Sequence, residues 1–225
     1  MSAQTMAFGE AIDRLPDGSL LLVPDVTWED YELILADLAG RPGIRVTYDS
    51  GQLEVMSPSR KHEKYKDFIL QLVFVLAEEI DLSVESAGST TFKMAADRKA
   101  VEPDTCFYVA RADRIIAEPG DRSDLPGDPP PDLVVEIDVT NESSGKFPIY
   151  AALGVPEIWR YDDKRKRLQI YELDEESYRE IDRSRSFPVL TPDLLSDFMG
   201  RAAKLGQKRA LAGFRQWARE QSSRR

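Results

Sequence analysis

Two chemically useful residue types are almost missing from this 225-residue chain, which holds one cysteine, Cys106, and one histidine, His62. A lone cysteine cannot close an internal disulfide, so a reducing cytoplasm is the expected home. A lone histidine excludes the His-rich and Cys/His clusters that hold zinc. Long apolar runs are missing too: the longest, Leu72 to Ala77, has six residues, against the ~20 that a membrane-spanning helix needs. The N-terminus carries Glu10 and Asp13 and no sustained apolar stretch, unlike a secretory signal. Phosphate-binding glycine motifs are lacking. Ser144-Gly145-Lys146 ends like a P-loop, but Thr140 replaces its first glycine and Phe147 its Ser/Thr. There is no G-x-S-x-G, and His62-Glu63 opens like a zinc-protease motif only to end on Lys66.

What is present is an ordinary globular composition, 42% hydrophobic and 31% charged, enough for one large domain or a domain with a short appendage. Thirty basic and forty acidic side chains give a net charge of −10, which argues against coating nucleic acid by bulk electrostatics. The charge is unevenly placed. Residues 201–225 carry eight basic side chains against Glu220 alone, a +7 tail on a −17 body. Smaller basic clusters lie at Arg60, Lys61, Lys64 and Lys66 and from Lys164 to Arg167. The tail has two readings, a phosphate-binding arm or a solvated helix paired with the acidic body or a second subunit.

Along the chain, residues 1–27 read as a loosely structured lead-in with a Pro16-Asp17-Gly18 turn. A short helical pattern follows from Trp28 to Leu38, then two strands flanking Asp49-Ser50-Gly51 as a hairpin. Ser57-Pro58-Ser59 supplies a helix start, and Tyr65, Phe68, Ile69, Leu72, Val73, Leu76 and Ile80 recur at helical spacing. Strands are expected over 90–94, 104–109 and 133–139, with a Pro/Gly/Asp-rich surface loop over 117–132. A short helix near 148–153, a second hairpin over 157–161 and 168–173, and helices near 192–199 and 202–219 complete the pattern. The organisation expected is a single α/β domain over 28–200 around one sheet, with a helical C-terminal extension over 201–225.

Chemistry concentrates on the strand acids. Strand alternation puts Val134, Glu136 and Asp138 on one face of an otherwise apolar segment. Buried acids are costly unless a basic partner or a divalent cation compensates them, and a hard cation prefers oxygen ligands. Glu102-Pro103-Asp104 sets another acid at a strand entry, where proline costs no ladder donor. If the two strands are neighbours, Asp104 and Glu136 share a cleft. Either a shared metal or ordinary ion pairing satisfies these residues.

Pro103-Asp104, Glu136 in an apolar strand and then Lys146 resemble the PD-(D/E)XK nuclease superfamily. More specifically, the segments 53–58, 102–104, 131–136 and 150–159 are similar to the Uma-type family of restriction endonucleases, over roughly residues 25–200. The resemblance implies a restriction-endonuclease-like mixed β-sheet flanked by helices. It also implies Mg²⁺ or Mn²⁺ on Asp104 and Glu136, with the backbone carbonyl of Ile137 a further ligand, and hydrolysis of DNA phosphodiester bonds. The plain motif has lysine two residues after the glutamate. Here that position is Asp138, a candidate third ligand or a holder of Lys146, and Lys146 takes the role of charge stabiliser. Glu63 is the candidate ligand the family pattern favours from the first long helix, with His62 beside it either a second candidate or a hydrogen-bonded helix-start residue. On a helical wheel His62 lies at the edge of the apolar stripe and Glu63 well off it. Such folds commonly pair to cut two strands, so a homodimer or higher homo-oligomer on DNA is expected. The alternative is a catalytically silent nuclease-fold module that binds nucleic acid or protein. Cys106 and Trp159 read as core residues, Tyr161 as core or hairpin.

Overall fold

The computed structural model of the protein describes residues 12, 14–38, 43–117 and 129–223. Residues 1–11 and 13 of the lead-in, 118–128 of the 117–132 loop, and Arg224 and Arg225 of the basic tail lie outside the described residues. In chain order the elements begin β1 (Leu20–Val23), α1 (Trp28–Leu38), β2 (Arg45–Asp49), β3 (Gln52–Met56), α2 (Arg60–Ile80) and β4 (Glu85–Gly88). Then come β5 (Phe92–Met94), β6 (Lys99–Val101), β7 (Thr105–Tyr108), α3 (Ala112–Ala117) and β8 (Leu133–Asp138). After a 3₁₀ turn over Ser144–Lys146 the chain finishes with α4 (Phe147–Leu153), β9 (Glu157–Asp162), β10 (Arg167–Asp174), β11 (Ser177–Ile181), α5 (Pro192–Leu205) and α6 (Gln207–Ser222).

The strands form two sheets rather than the expected one. The smaller, ordered β1-β3-β2-β6-β5, is antiparallel throughout. Helix α1 covers it, burying Tyr31, Ile34 and Leu38 against Val46, Tyr48, Leu53 and Val55. The larger sheet, ordered β11-β10-β9-β8-β7-β4, is mixed, because β8 and β9 run parallel and the other pairs antiparallel. The chain divides at proline. β6 ends at Val101, and Pro103, with no N–H to donate, cannot extend that ladder before β7 opens the second sheet at Thr105. Glu102 and Asp104 therefore sit where the chain passes between sheets. Leu20–Val23, inside the expected lead-in, pairs with β3 as an edge strand.

Helix α2 starts as its sequence dictates: the Ser59 side chain accepts a hydrogen bond from the His62 N–H at 3.2 Å. Its apolar stripe lies on one face of the large sheet, where it meets Leu133, Val135 and Ile137 of β8. α5 and α6 join the same core. The segment expected as a tail thus begins inside α5, and α6 buries Ala210, Phe214 and Ala218. On the opposite face Val134, Ile149, Tyr150 and Ile158 form a second cluster that anchors α4. Cys106, Trp159 and Tyr161 are core residues. The outcome is the expected α/β class, helices flanking a mixed sheet with a helical C-terminal extension.

Candidate active site

Strands β7 and β8 are neighbours, with Thr105 opposite Val135 and Cys106 opposite Val134. One step further along this register Asp104 faces Glu136. Both carboxylates are almost fully buried, Asp104 at 1% and Glu136 at 2% exposure. One Asp104 oxygen, Oδ2, accepts from the Ile137 N–H at 2.7 Å and meets His62 Nε2 at 2.9 Å. The other, Oδ1, is buried and has no hydrogen-bond partner.

Lys146 reaches the pair from outside the strand. The Ser144–Lys146 3₁₀ turn runs into α4, and this places Nζ 3.1 Å and 3.3 Å from the two Glu136 oxygens and 3.2 Å from the Glu102 carbonyl. Tyr150, one helical turn on, donates its hydroxyl to Glu136 Oε1. Glu102 stays outside the pair: its carboxylate accepts from the Val46 N–H at 3.1 Å and the Thr91 hydroxyl at 2.6 Å. It thereby ties the segment between the sheets to the smaller one.

Burial pushes the Glu136 carboxyl upward and Asp104 adds to the shift, while the Lys146 ammonium opposes it and favours the carboxylate. Burial also pulls Lys146 down, but Glu136 and Asp104 outweigh it and hold the ammonium above its ordinary range. For His62, burial is likewise overcome by Asp104 and Glu63, which raise the imidazole to about 9. Half-buried Glu54 on β3 is raised by burial, with Lys146 pulling the other way, so it feels the same ammonium.

Two residues named as candidate ligands from sequence are engaged elsewhere. The Asp138 carboxylate accepts from the Ser143 N–H at 3.0 Å and from Arg160 Nε at 2.5 Å, so both its oxygens are occupied. It holds the turn that carries Lys146, not Lys146 itself. Glu63 is partly exposed and contacts Lys66, Arg45 at 3.8 Å and His62 Nδ1 at 3.4 Å, approaching Asp104 only through the imidazole. Among the described residues no three His, Cys, Asp or Glu side chains gather to cage a metal. The Asp104–Glu136 donor set nonetheless fits a hard cation. Mg²⁺-type ions keep several waters and bind through one or two carboxylates, and Asp104 Oδ1 is an acceptor with nothing to accept.

The sequence profile of the Uma2 family, described as "Putative restriction endonuclease", matches residues 28–202. The chain belongs to this family. No curated protein matches. Among solved structures, the crystal structure of a putative nuclease belonging to DUF820 from Anabaena variabilis ATCC 29413 is similar, with a TM-score of 0.48 and 15% identity. The match covers 68% of this chain and 90% of that one.

In this Uma2 protein the sequence-named residues Asp104, Glu136, Ile137 and Lys146 come together, and Glu63 and Asp138 stand one contact away. Sequence reasoning weighed His62 only as a second candidate ligand behind Glu63 or a hydrogen-bonded helix-start residue, and missed Tyr150 and Arg160. His62 had a signal in its inward position on the helical wheel, and Tyr150 had one in lying a helical turn after Lys146. Arg160 had none, because its meeting with Asp138 follows from the parallel β8–β9 pairing. No described helix is long and apolar enough to cross a membrane.

Proposed function

We propose that this Uma2 protein is a Mg²⁺- or Mn²⁺-dependent endonuclease that hydrolyses DNA phosphodiester bonds, with its catalytic unit in residues 28–200. The observation that carries the reading is the buried Asp104–Glu136 pair beside a fixed ammonium, with one Asp104 oxygen left open. Asp104 and Glu136 would hold the cation, with the Ile137 carbonyl as the backbone ligand. When bound, such a cation lowers the pKa of a water and stabilises charge on the phosphoryl oxygens. The chain's own groups do the rest. His62 and the Ile137 N–H fix the Asp104 rotamer through Oδ2 and so leave Oδ1 free. Tyr150 orients Glu136. Lys146 presents a preorganised positive charge to the negative charge that gathers in phosphoryl transfer, a role that needs no contact with the cation. Cutting both strands asks for two sites, so the active form in this reading is a homodimer or higher homo-oligomer.

A second reading, a silent nuclease-fold module that binds nucleic acid or protein, draws support from one feature. Lys146 and Tyr150 between them supply hydrogen bonds to both Glu136 oxygens, the compensation that a structural ion pair needs. Supercoiled plasmid incubated with the protein and Mg²⁺ or Mn²⁺ separates the two readings. Metal-dependent nicking or linearisation by wild type, lost in Asp104→Asn, is expected from the nuclease. An intact plasmid, with no carboxylate-dependent metal binding by calorimetry, would establish the module.

A further inference from the structure

The basic clusters that the sequence scatters over more than a hundred residues meet in space. Asp163, itself buried, joins two of them: its carboxylate binds Lys61 Nζ at 2.5 Å from the first turn of α2 and Lys166 from the β9–β10 turn. The Tyr65 hydroxyl donates to the same carboxylate at 2.6 Å. The third cluster arrives with the start of α6, where Gln207 Nε2 donates to the Lys64 carbonyl at 3.0 Å and so ties the first turn of α6, which carries Lys208 as the next residue, to the start of α2. Lys64, Lys164 and Lys208 are exposed and make no ion pair among the described residues. Lys61 and Lys166 keep half or more of their side-chain surface in water even while paired.

This rim adjoins the candidate site at two points. His62, next to Lys61, contacts Asp104. The Asp163 N–H donates to the Asp138 carbonyl at 2.9 Å, two residues beyond Glu136 and so about 7 Å along the strand. A protein of net charge −10 repels a polyanion over most of its surface, so positive charge converging beside a buried carboxylate pair has a directional effect. Exposed ammonium groups suit phosphates rather than a protein surface, whose interfaces are depleted in lysine.

We infer that the rim formed by Lys61, Lys64, Lys164, Lys166 and Lys208 is the seat of the phosphate backbone of duplex DNA, and that it delivers a phosphodiester to Asp104 and Glu136. The inference rests on the nuclease reading for its purpose, and the test is made without cleavage.

Binding of a fluorescent DNA duplex is measured in EDTA across a salt series for wild type and for Lys64→Ala/Lys164→Ala/Lys208→Ala. A control, Lys93→Ala/Lys99→Ala/Arg179→Ala, removes the same number of charges elsewhere. Each phosphate contact contributes about 0.9 to the slope of log affinity against log salt, so the rim variant should lose about 2–3 units of slope and about tenfold or more in affinity near 0.1 M salt. The control should keep the wild-type slope, and matching urea midpoints show that both variants are folded. An unchanged slope in the rim variant, an equal loss in the control, or no duplex binding by wild type would each overturn the inference. Plasmid cleavage is read in parallel. Active wild type with an unchanged rim slope removes the rim and leaves the nuclease, while a lost slope in a protein that never cuts removes the nuclease and leaves the rim.

Discussion

Removing either partner of the Lys146–Glu136 pair should destabilise the metal-free protein, and removing both should cost little more than removing one. At 3.1 Å separation and an effective dielectric near 20, the gross attraction is about 5 kcal/mol. Desolvation of two buried charges consumes most of that, so the pair as a whole adds little over an apolar contact. A single truncation is different. Lys146→Met leaves Glu136 facing Asp104 with only Tyr150 to serve it, and Glu136→Gln leaves a buried ammonium held mainly by the Glu102 carbonyl. Breaking a buried pair typically costs 3–5 kcal/mol. Tyr150, Glu102 and Asp104 still serve the survivor, so about 3 kcal/mol per single variant is expected. The double variant Glu136→Gln/Lys146→Met should fall short of additivity by about 2–3 kcal/mol. Urea unfolding at neutral pH in EDTA reads all four proteins, with equal m-values required for the comparison. Additive losses, or a Lys146→Met protein as stable as wild type, would sink the pairing argument.

Lys146→Met should also lower plasmid cleavage by roughly a hundredfold or more while leaving Mg²⁺ affinity by calorimetry nearly unchanged, because an ammonium stabilises charge without being a ligand; wild-type cleavage would transfer that role to another basic residue. Asp163 is held down to about 2, its burial being outweighed by Lys166, Lys61 and Tyr65. A depressed pKa gives stability that is present above the unfolded value and lost as pH falls from about 4 through about 2. Asp163→Asn should therefore cost about 1 kcal/mol at neutral pH, allowing for screening of the half-exposed lysines, and should flatten the acid limb; an unaltered acid limb in urea titrations would contradict it. Phe214 is fully buried, 5.0 Å from the Phe198 ring and 5.3 Å from Trp217. Phe214→Ala should cost about 3–5 kcal/mol, and an unchanged melting temperature would show that α6 is a loose appendage.

The elements legible in the sequence are those whose local chemistry and burial agree. Asp49-Ser50-Gly51 turns a hairpin between half-apolar strands, and Gly51 takes a φ of 105° that side chains avoid. Ser59 caps α2, whose stripe is buried nearly as the spacing demands. β1, β4, β6 and β11 were not legible. β6 spans three residues, and β1, β4 and β11 lie at sheet edges with mostly exposed or half-exposed side chains, so no alternation marks them. The division into two sheets followed from the unread β6, which gives the first hairpin a partner of its own. Asp104 and Glu136 stood out because acids in apolar strands require compensation. What the compensation is could not be read from the strand alone.

The displaced lysine has a geometric explanation that uses all the acids of β8. A lysine at position 138 would share the strand face of Glu136 and could turn back along it. Here Asp138 uses that position to receive Arg160 from the adjacent parallel strand β9 and the Ser143 N–H from the segment that follows. Asp138 is raised by burial, with Arg160 pulling it back, so without the guanidinium the carboxylate would tend toward its neutral form. The Ser143 carbonyl then accepts from the Lys146 N–H at 2.9 Å and closes the turn. From there Lys146 and Tyr150, one helical turn apart, both aim at Glu136. The nine residues between Glu136 and Lys146 are thus bridged by Arg160, Asp138 and Ser143. The ammonium arrives beside the same carboxylate, but from α4 instead of from the strand. In the proposed nuclease Asp138 is accordingly a positioning residue: Asp138→Asn should disturb the placement of Lys146 and reduce cleavage rate while leaving metal affinity little changed, whereas a third ligand would show the reverse.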